Sequence, residues 1–300
     1  MPELPEVEVV RLGLEPVVVG ARVNQVRILE PRSLRRHLGP EEDFVDRLCG
    51  ARLSCVLRRG KFLWFPIEET KEALLVHLGM SGQLRIGESE SEFGPLLRVQ
   101  LFLTTQENKE AVVGFVDQRI FGSMAIDGLV TNSERVNSET RGSDHPIPGT
   151  ISHIARDPMD EYFDERKLLL ELRQRTTGIK RLLLDQRIVS GIGNIYADEA
   201  LWRAKIHYET PANLISRGKV KELISAVKFV FGRALEQGGT SFDSQYLNVN
   251  GKAGYFSRSL EVYGRERKPC SRCGSLIRRD RFMNRSSYIC PKCQRRRRTR

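Results

Sequence analysis

The sequence predicts an α+β protein, with a β-rich N-terminal domain, a helical second domain and a small metal-stapled module at the C-terminus. Three observations carry this prediction. Short apolar segments with strand character fill residues 53–117, separated by Gly, Glu, Ser and Asn clusters. One long helical pattern follows, with Val220, Leu223, Ile224, Val227, Phe231, Ala234 and Leu235 on a single face. Four of the six cysteines then fall in the last 31 residues as two Cys-x-x-Cys pairs.

Taken in order, residues 2–14 read as a short helix. Val7, Val10 and Leu14 recur at i, i+3 and i+7, and Pro5 suits a first turn. Leu53, Cys55 and Leu57 alternate with polar neighbours, and KFLWFPI, ALLVHLGM, LLRVQLFLTT and AVVGFVD come after them. Short strands at this spacing predict a β-sandwich or a barrel. Residues 133–149 lack apolar periodicity and read as a linker. The long helix stops at Gly238-Gly239, a common C-terminal signal, and residues 240–259 read as loop. The expected plan is a β domain over 2–132, the linker, a helical domain over 150–261, and the Cys-rich module with a basic tail over 262–300. No internal repeat is visible.

Composition narrows the function classes. Apolar residues make up 40% and charged residues 29%, which describes a globular chain rather than a disordered one. No apolar run approaches the ~20 residues of a membrane span, and no secretory leader is evident. The expectation is a cytoplasmic protein. Lys and Arg exceed Asp and Glu by 49 − 38 = 11, an excess that favours an anionic partner such as nucleic acid or an anionic membrane surface. It is concentrated at residues 265–300, which carry twelve Arg and two Lys and end in QRRRRTR.

Cys270, Cys273, Cys290 and Cys293 form two pairs separated by 16 residues. This spacing places four thiolates around one tetrahedral Zn²⁺. A module this short cannot bury enough apolar surface to fold alone, so the metal supplies the missing stability. Four protein ligands leave no open position for water activation, so the zinc is structural. Arg278, Arg279, Arg281 and Arg285 between the pairs suit a nucleic-acid grip. Cys49 and Cys55 read as small core residues. GIGN at 191–194 offers backbone N–H groups to a phosphate, or forms a plain interhelical turn.

At this point the pieces resemble a known family. MPELPEVE at the start, RRGKFL at 58–63, HLGMSG at 77–82 and DQRIFG at 117–122 are similar to formamidopyrimidine-DNA glycosylase. So are LLDQRIVSGIGNIYADEALW at 183–202, GGTSF at 238–242, GYFSRSLEVYGRE at 254–266 and the finger ending CPKCQ. The matches run in order over nearly the whole chain. The resemblance implies an N-terminal β-sandwich flanked by helices and a helix–two-turn–helix domain with a zinc finger. It also implies a monomeric base-excision repair enzyme acting on damaged double-stranded DNA at the nucleoid. Such an enzyme excises oxidised purines such as 8-oxoguanine and formamidopyrimidines, then nicks the abasic strand.

The opening residues then acquire a chemical meaning. With Met1 removed, Pro2 is a secondary α-amine, and α-amines titrate near ~8, so part of it is a neutral nucleophile at physiological pH. Glu3 beside it can shuttle protons to the sugar ring oxygen. Glu6, one turn later, faces the same side and supports the iminium steps; the bland reading of both is acidic decoration of a helix N-terminus. By resemblance Lys61 assists β-elimination and contacts phosphate. Asn194 and Arg285 clamp the phosphates flanking the lesion, and His77 contacts DNA. Met80, Arg119 and Phe121 fill the gap left by the flipped nucleotide, which needs an apolar wedge and an Arg facing the orphaned base. Thr240–Asn250, with Ser244, forms a lid over the extruded base, and Lys180 is a second candidate for contacting it. One departure stands out: the family often has a second Arg where this chain has Ile120. Two rivals remain. One is the sister enzyme for oxidised pyrimidines, which Leu4 disfavours; the other is a non-catalytic damage binder, which Pro2, Glu3 and Lys61 disfavour.

Overall fold

A computed structural model describes residues 2–131, 145–240, 249, 251 and 254–296. The chain divides into two compact units, residues 1–153 with 238–254, and residues 154–237 with 255–300.

The first unit opens with α1 (Leu4–Val18) and continues through β1 (Arg22–Ile28), α2 (Glu41–Leu48), β2 (Leu57–Arg59), β3 (Phe62–Pro66), β4 (Glu72–His77), β5 (Gly82–Gly87), β6 (Leu97–Thr104), β7 (Glu110–Asp117), β8 (Ser123–Val130) and β9 (Ile147–Pro148). The strands form two antiparallel sheets, in the orders β1-β6-β7-β5 and β2-β3-β4-β8-β9. Alternate residues of both sheets share one core. Val99, Leu101 and Leu103 come from β6, Val113 and Phe115 from β7, Leu74 and Val76 from β4, and Met124 and Ile126 from β8. Val7, Val10 and Leu14 of α1 close it, as their spacing predicts. Each such buried side chain stabilises the sandwich by about 1.5–3 kcal/mol relative to exposure.

Register fixes what lies at the sandwich edge. Phe62 pairs with His77, His77 with Ser123, and in the other sheet Gly82 pairs with Asp117. Lys61 precedes Phe62 in the β2–β3 turn. The β4–β5 turn (78–81) and the β7–β8 turn (118–122) both cross from one sheet to the other. They therefore start and end on neighbouring strands.

Four details depart from expectation. The alternation at Leu53, Cys55 and Leu57 yields only an isolated bridge from Leu53 to Ile67 and the three-residue β2. Cys49 is exposed and Cys55 half-buried, so neither is a core residue. Residues 147–148 pair with Leu129 and Val130 as a strand, so the expected linker ends earlier, while 132–144 lie outside the described residues. The segment after Gly238 groups with the first unit rather than the helical one. The reason is apolar burial: Val249 sits in the sandwich core and its carbonyl accepts the Ile86 N–H at 3.0 Å.

The second unit contains α3 (Glu165–Arg173), α4 (Ile179–Leu183), α5 (Asn194–Arg203), α6 (Arg217–Glu236) and the hairpin β10 (Arg278–Phe282) with β11 (Arg285–Ile289). Asp164 caps α3 by accepting the N–H groups of Arg166 and Lys167, and Ser216 caps α6 through Lys219. The predicted face of α6 is buried from Val220 to Ala234, with Tyr196 of α5 edge-on to Phe231 at 5.2 Å. The helix ends at Gly238 and Gly239, both at positive φ (+72° and +84°), a conformation that glycine adopts at little steric cost.

Candidate active site

In the first unit, Pro2 and Glu3 are buried at the entry to α1. Glu3 is the N-cap residue, and its amide donates to Glu6 Oε2 at 2.8 Å, part of a reciprocal capping box. Glu6 Oε1 accepts both the amide and the hydroxyl of Thr240, each at 2.8 Å. The Glu6 carboxylate is thus occupied in fixing the Glu3 backbone and tying the segment after Gly239 to α1. The Lys61 turn is moored to the same helix. Arg58 Nε donates to Glu8 Oε2 at 2.6 Å, and Arg58 Nη1 donates to the Gly60 carbonyl at 3.0 Å.

His77 lies against the Phe62 ring at 4.5 Å between centroids. Burial pushes its imidazole pKa down to about 4, with the charges of Arg36, Lys61 and Arg35 adding to the effect. His77 is therefore neutral at physiological pH, in a surface region dominated by cations. Its buried Nδ1 has no hydrogen-bond partner among the described residues.

Met80 and Phe121 project from the two sheet-crossing turns and are 43% and 50% exposed. Large apolar side chains on a surface formed by tightly locked backbone are what an intercalating wedge needs, and at this exposure Met80 is not a core residue. The turns touch closely. A Cβ on Gly79 (φ +66°) would lie 2.4 Å from the Phe121 carbonyl carbon, so only glycine lets the backbones meet. Asp117, fully buried, binds them together. Its Oδ1 accepts Ser81 Oγ at 2.5 Å and the Arg119 amide at 3.1 Å, and its Oδ2 accepts the Gly122 amide at 2.7 Å. The Arg119 side chain is exposed.

In the second unit, Gly193 caps α5, so Asn194 is its first helical residue. Asn194 Nδ2 donates to the Ser286 carbonyl at 3.0 Å, which sets the helix N-terminus beside the start of β11 and Arg285. Arg285 is exposed, next to the turn through Met283 and Asn284. The four cysteine Sγ atoms lie within 4.8 Å of one another. A tetrahedron of Zn–S bonds near 2.3 Å needs sulfur separations of about 3.8 Å, so the cluster fits the ion. Trp202 Nε1 and the Cys293 amide donate to Cys270 Sγ and Cys290 Sγ, both at 3.4 Å, which suits thiolate ligands. Zn²⁺ here holds the finger and supplies no reactive position.

Lys180 requires a correction. It is fully buried within the second unit, where Nζ pairs with Asp198 Oδ1 at 2.7 Å, donates to Ser287 Oγ at 3.1 Å and lies 4.8 Å from the centre of the Phe282 ring. An ammonium so enclosed joins α4 and α5 to the finger hairpin and does not reach a DNA base. Ser244 and most of the proposed lid lie outside the described residues.

Three supporting acids escaped the sequence reading. Asp198 also accepts the Tyr288 amide, and Glu199 accepts the amides of Glu261, Val262 and Tyr263 at 2.8–3.0 Å. Their signal was an adjacent pair of carboxylates inside the apolar helix IYADEALW, which must be partnered to be buried. Asp117 offered only its place ahead of a turn.

Comparison with known proteins agrees with this layout. The formamidopyrimidine-DNA glycosylase N-terminal domain model matches residues 1–124, the formamidopyrimidine-DNA glycosylase H2TH domain model residues 154–245, and the zinc finger found in FPG and IleRS residues 267–296. A formamidopyrimidine-DNA glycosylase of Leifsonia xyli subsp. xyli is 51% identical over 98% of this chain and 100% of its own length. That of Thermobifida fusca is 50% identical, covering 98% and 97%. Among solved structures, a Lactococcus lactis FPG mutant bound to Fapy-dG containing DNA superposes with a TM-score of 0.81 at 29% identity, covering 98% of this chain and 100% of that one. The wild-type Lactococcus lactis FPG has also been solved with an oxidized pyrimidine containing DNA, with a TM-score of 0.80 at 29% identity and the same coverage.

Proposed function

The chain belongs to the formamidopyrimidine-DNA glycosylase family, and from that premise we propose a bifunctional base-excision enzyme that removes oxidised purines and nicks the resulting abasic strand. With Met1 removed, the Pro2 nitrogen attacks C1′ of the damaged nucleotide. The N–C1′ bond forms as the glycosidic bond breaks and the base leaves with its electron pair, taking up a proton. Glu3 donates a proton to the ring oxygen, which opens the sugar and leaves an iminium on Pro2. That cation is the electron sink for loss of the 2′ proton and expulsion of the 3′ phosphate. A second elimination expels the 5′ phosphate. Lys61 assists the first elimination and contacts phosphate, and His77 contacts DNA as a neutral imidazole. Met80, Arg119 and Phe121 occupy the gap left by the flipped nucleotide, while Asn194 and Arg285 grip the flanking phosphates. The enzyme works as a monomer on cytoplasmic, nucleoid DNA; no helix among the described residues is long and apolar enough to cross a membrane.

The observation that carries this reading is the order built around Pro2. Buried Glu3 follows it directly, and Glu6 holds the Glu3 amide in place. The test is incubation with a duplex containing one 8-oxoguanine, with and without borohydride. Reduction of the iminium should trap a protein–DNA adduct whose peptide map ends at Pro2. Because Pro2→Gly still offers a primary amine, mapping must accompany that variant. An adduct on a lysine side chain, or full activity with a permanent N-terminal tag, would overturn the reading. The oxidised-pyrimidine complex of the Lactococcus lactis relative favours a second substrate class. A parallel duplex with an oxidised pyrimidine measures it by base release.

A further inference from the structure

We infer that Arg35 is a positioning residue for the lesion-probing wedge: it fixes the backbone that carries Arg119 and Phe121. The inference rests on the wedge role proposed above for Met80, Arg119 and Phe121. Arg35 follows a single 3₁₀ turn over Pro31–Leu34, in the connection between β1 and α2. That connection is well rooted. Ser33 and Leu34 are buried, and His37 Nδ1 accepts the Ile126 amide of β8 at 3.3 Å. From this base the guanidinium reaches a turn 85–87 residues away in sequence. Nη1 donates to the Ile120 carbonyl at 3.1 Å and to the Gly122 carbonyl at 2.6 Å, and Nη2 donates to the Phe121 carbonyl at 2.5 Å.

Three consecutive carbonyls are thus gathered on one planar cation, a task for which a guanidinium fork is suited and an ammonium is not. The amides of the same turn are taken by Asp117, which accepts from Arg119 and Gly122. Both polar faces of the turn backbone are therefore held, the amides by a buried anion and the carbonyls by a cation from a distant segment. Between them sits Ile120 at φ +55°. A β-branched residue in the left-handed region is a genuine outlier and persists only where its surroundings over-determine it. The two side chains that this frame presents, the cation Arg119 and the apolar Phe121, are both exposed, which makes the frame a device for use rather than part of the core. Extruding a base costs a few kcal/mol of unstacking, and a wedge on a yielding turn would deform before the duplex did. Arg35 makes the turn rigid before DNA arrives.

The test uses the full-length enzyme and a duplex with 2-aminopurine beside 8-oxoguanine, whose fluorescence reports wedge insertion in stopped flow. Arg35→Ala, Arg35→Lys and Phe121→Ala are compared with wild type, together with thermal unfolding and nicking at a preformed abasic site. Arg35→Ala should slow insertion and 8-oxoguanine excision together, by on the order of tenfold to a hundredfold, the scale of a positioning error of about 1 Å. Abasic nicking and the unfolding temperature should stay close to wild type. Arg35→Lys should recover only part of the insertion rate, since a single ammonium nitrogen lacks the planar two-nitrogen fork that the three carbonyls share. Phe121→Ala reports on the wedge itself: if it inserts at the wild-type rate, the wedge reading fails. If Phe121→Ala slows insertion and Arg35→Ala does not, the inference about Arg35 is overturned. Equal losses of insertion, abasic nicking and thermal stability in Arg35→Ala overturn it too, because they assign Arg35 to the fold.

Discussion

At the residue scale, two side chains carry predictions because burial has changed their chemistry. The His77 pKa is lowered to about 4 in the folded protein, against about 6.5 in an unfolded chain. The unfolded state therefore binds the proton first as pH falls. The stability that neutral His77 contributes is full above about pH 6.5 and is lost progressively towards pH 4, at up to ~1.4 kcal/mol per unit of pKa separation. An NMR titration of the free protein should find the His77 ring neutral at pH 5.5, and an ordinary midpoint near pH 6.5 would contradict the burial argument. Lys180 and Asp198 make the second case. Lys180→Ala leaves a carboxylate that is 1% exposed with its cation removed, a change that costs about 3–5 kcal/mol in a buried pair. Denaturant unfolding should show the loss. Because Lys180 braces the finger and does not touch the base, the variant should lose affinity for damaged and undamaged duplexes alike. A loss confined to 8-oxoguanine DNA would restore the base-contact role.

Among the elements, the zinc finger and the paired turns depend on different physics. The finger hairpin has a small core of Val262, Cys270, Ile277 and Cys290 against Trp202, too little apolar surface to hold itself without metal. Cys273→Ser or strong chelation should release zinc, expose the amides of β10 and β11 to hydrogen exchange, and abolish duplex affinity. The sandwich amides should remain protected. Retained affinity in the metal-free variant would separate DNA binding from the finger. The β4–β5 and β7–β8 turns depend on steric access instead. Gly79→Ala places a Cβ 2.4–2.5 Å from three backbone atoms of Phe121 and Gly122 at positive φ. The left-handed conformation alone costs ~1–2 kcal/mol, so destabilisation by at least about 2 kcal/mol and slower wedge insertion are expected, read by thermal melting and 2-aminopurine fluorescence.

For the whole molecule, charge decides the encounter with DNA. The formal net charge of +11 and the run of arginines after Gln294 predict binding that weakens steeply with salt. Gln294 is itself buried, with Nε2 bonded to the Ile206 carbonyl and Oε1 to the Cys290 amide. Truncation should therefore begin after it. Removing residues 295–300 should lower affinity across all sequences and flatten the plot of log K against log salt, by about 0.9 for each phosphate that is no longer neutralised. Arg285→Ala should flatten it by about one phosphate's share. An unchanged slope in the truncated protein would mean that the tail is only solvated.

What the sequence determined by itself was whatever depends on local pattern or on chemical identity. The face of α6, the strands β3, β4, β6 and β7, the glycine stop and the four zinc ligands follow from spacing, because burial of an alternating strand or one helix stripe leaves a period in the chain. Pro2, Glu3 and the motifs around Met80 and Arg119 could be proposed from sequence because their resemblance to one family runs in order along the chain. What only the tertiary structure decided was pairing over long separations. β1 and α2 gave no strong period. Val249 lies in the sandwich core although its neighbours in sequence follow a helix of the other unit. Lys180 read as a candidate base contact until the fold enclosed it with Asp198 and Ser287. Arg35 stands in a stretch without a motif, and its three carbonyl partners lie 85–87 residues further on. A side chain's desolvation and its hydrogen-bond partners are set by elements that meet only when the chain folds, and no local pattern encodes them.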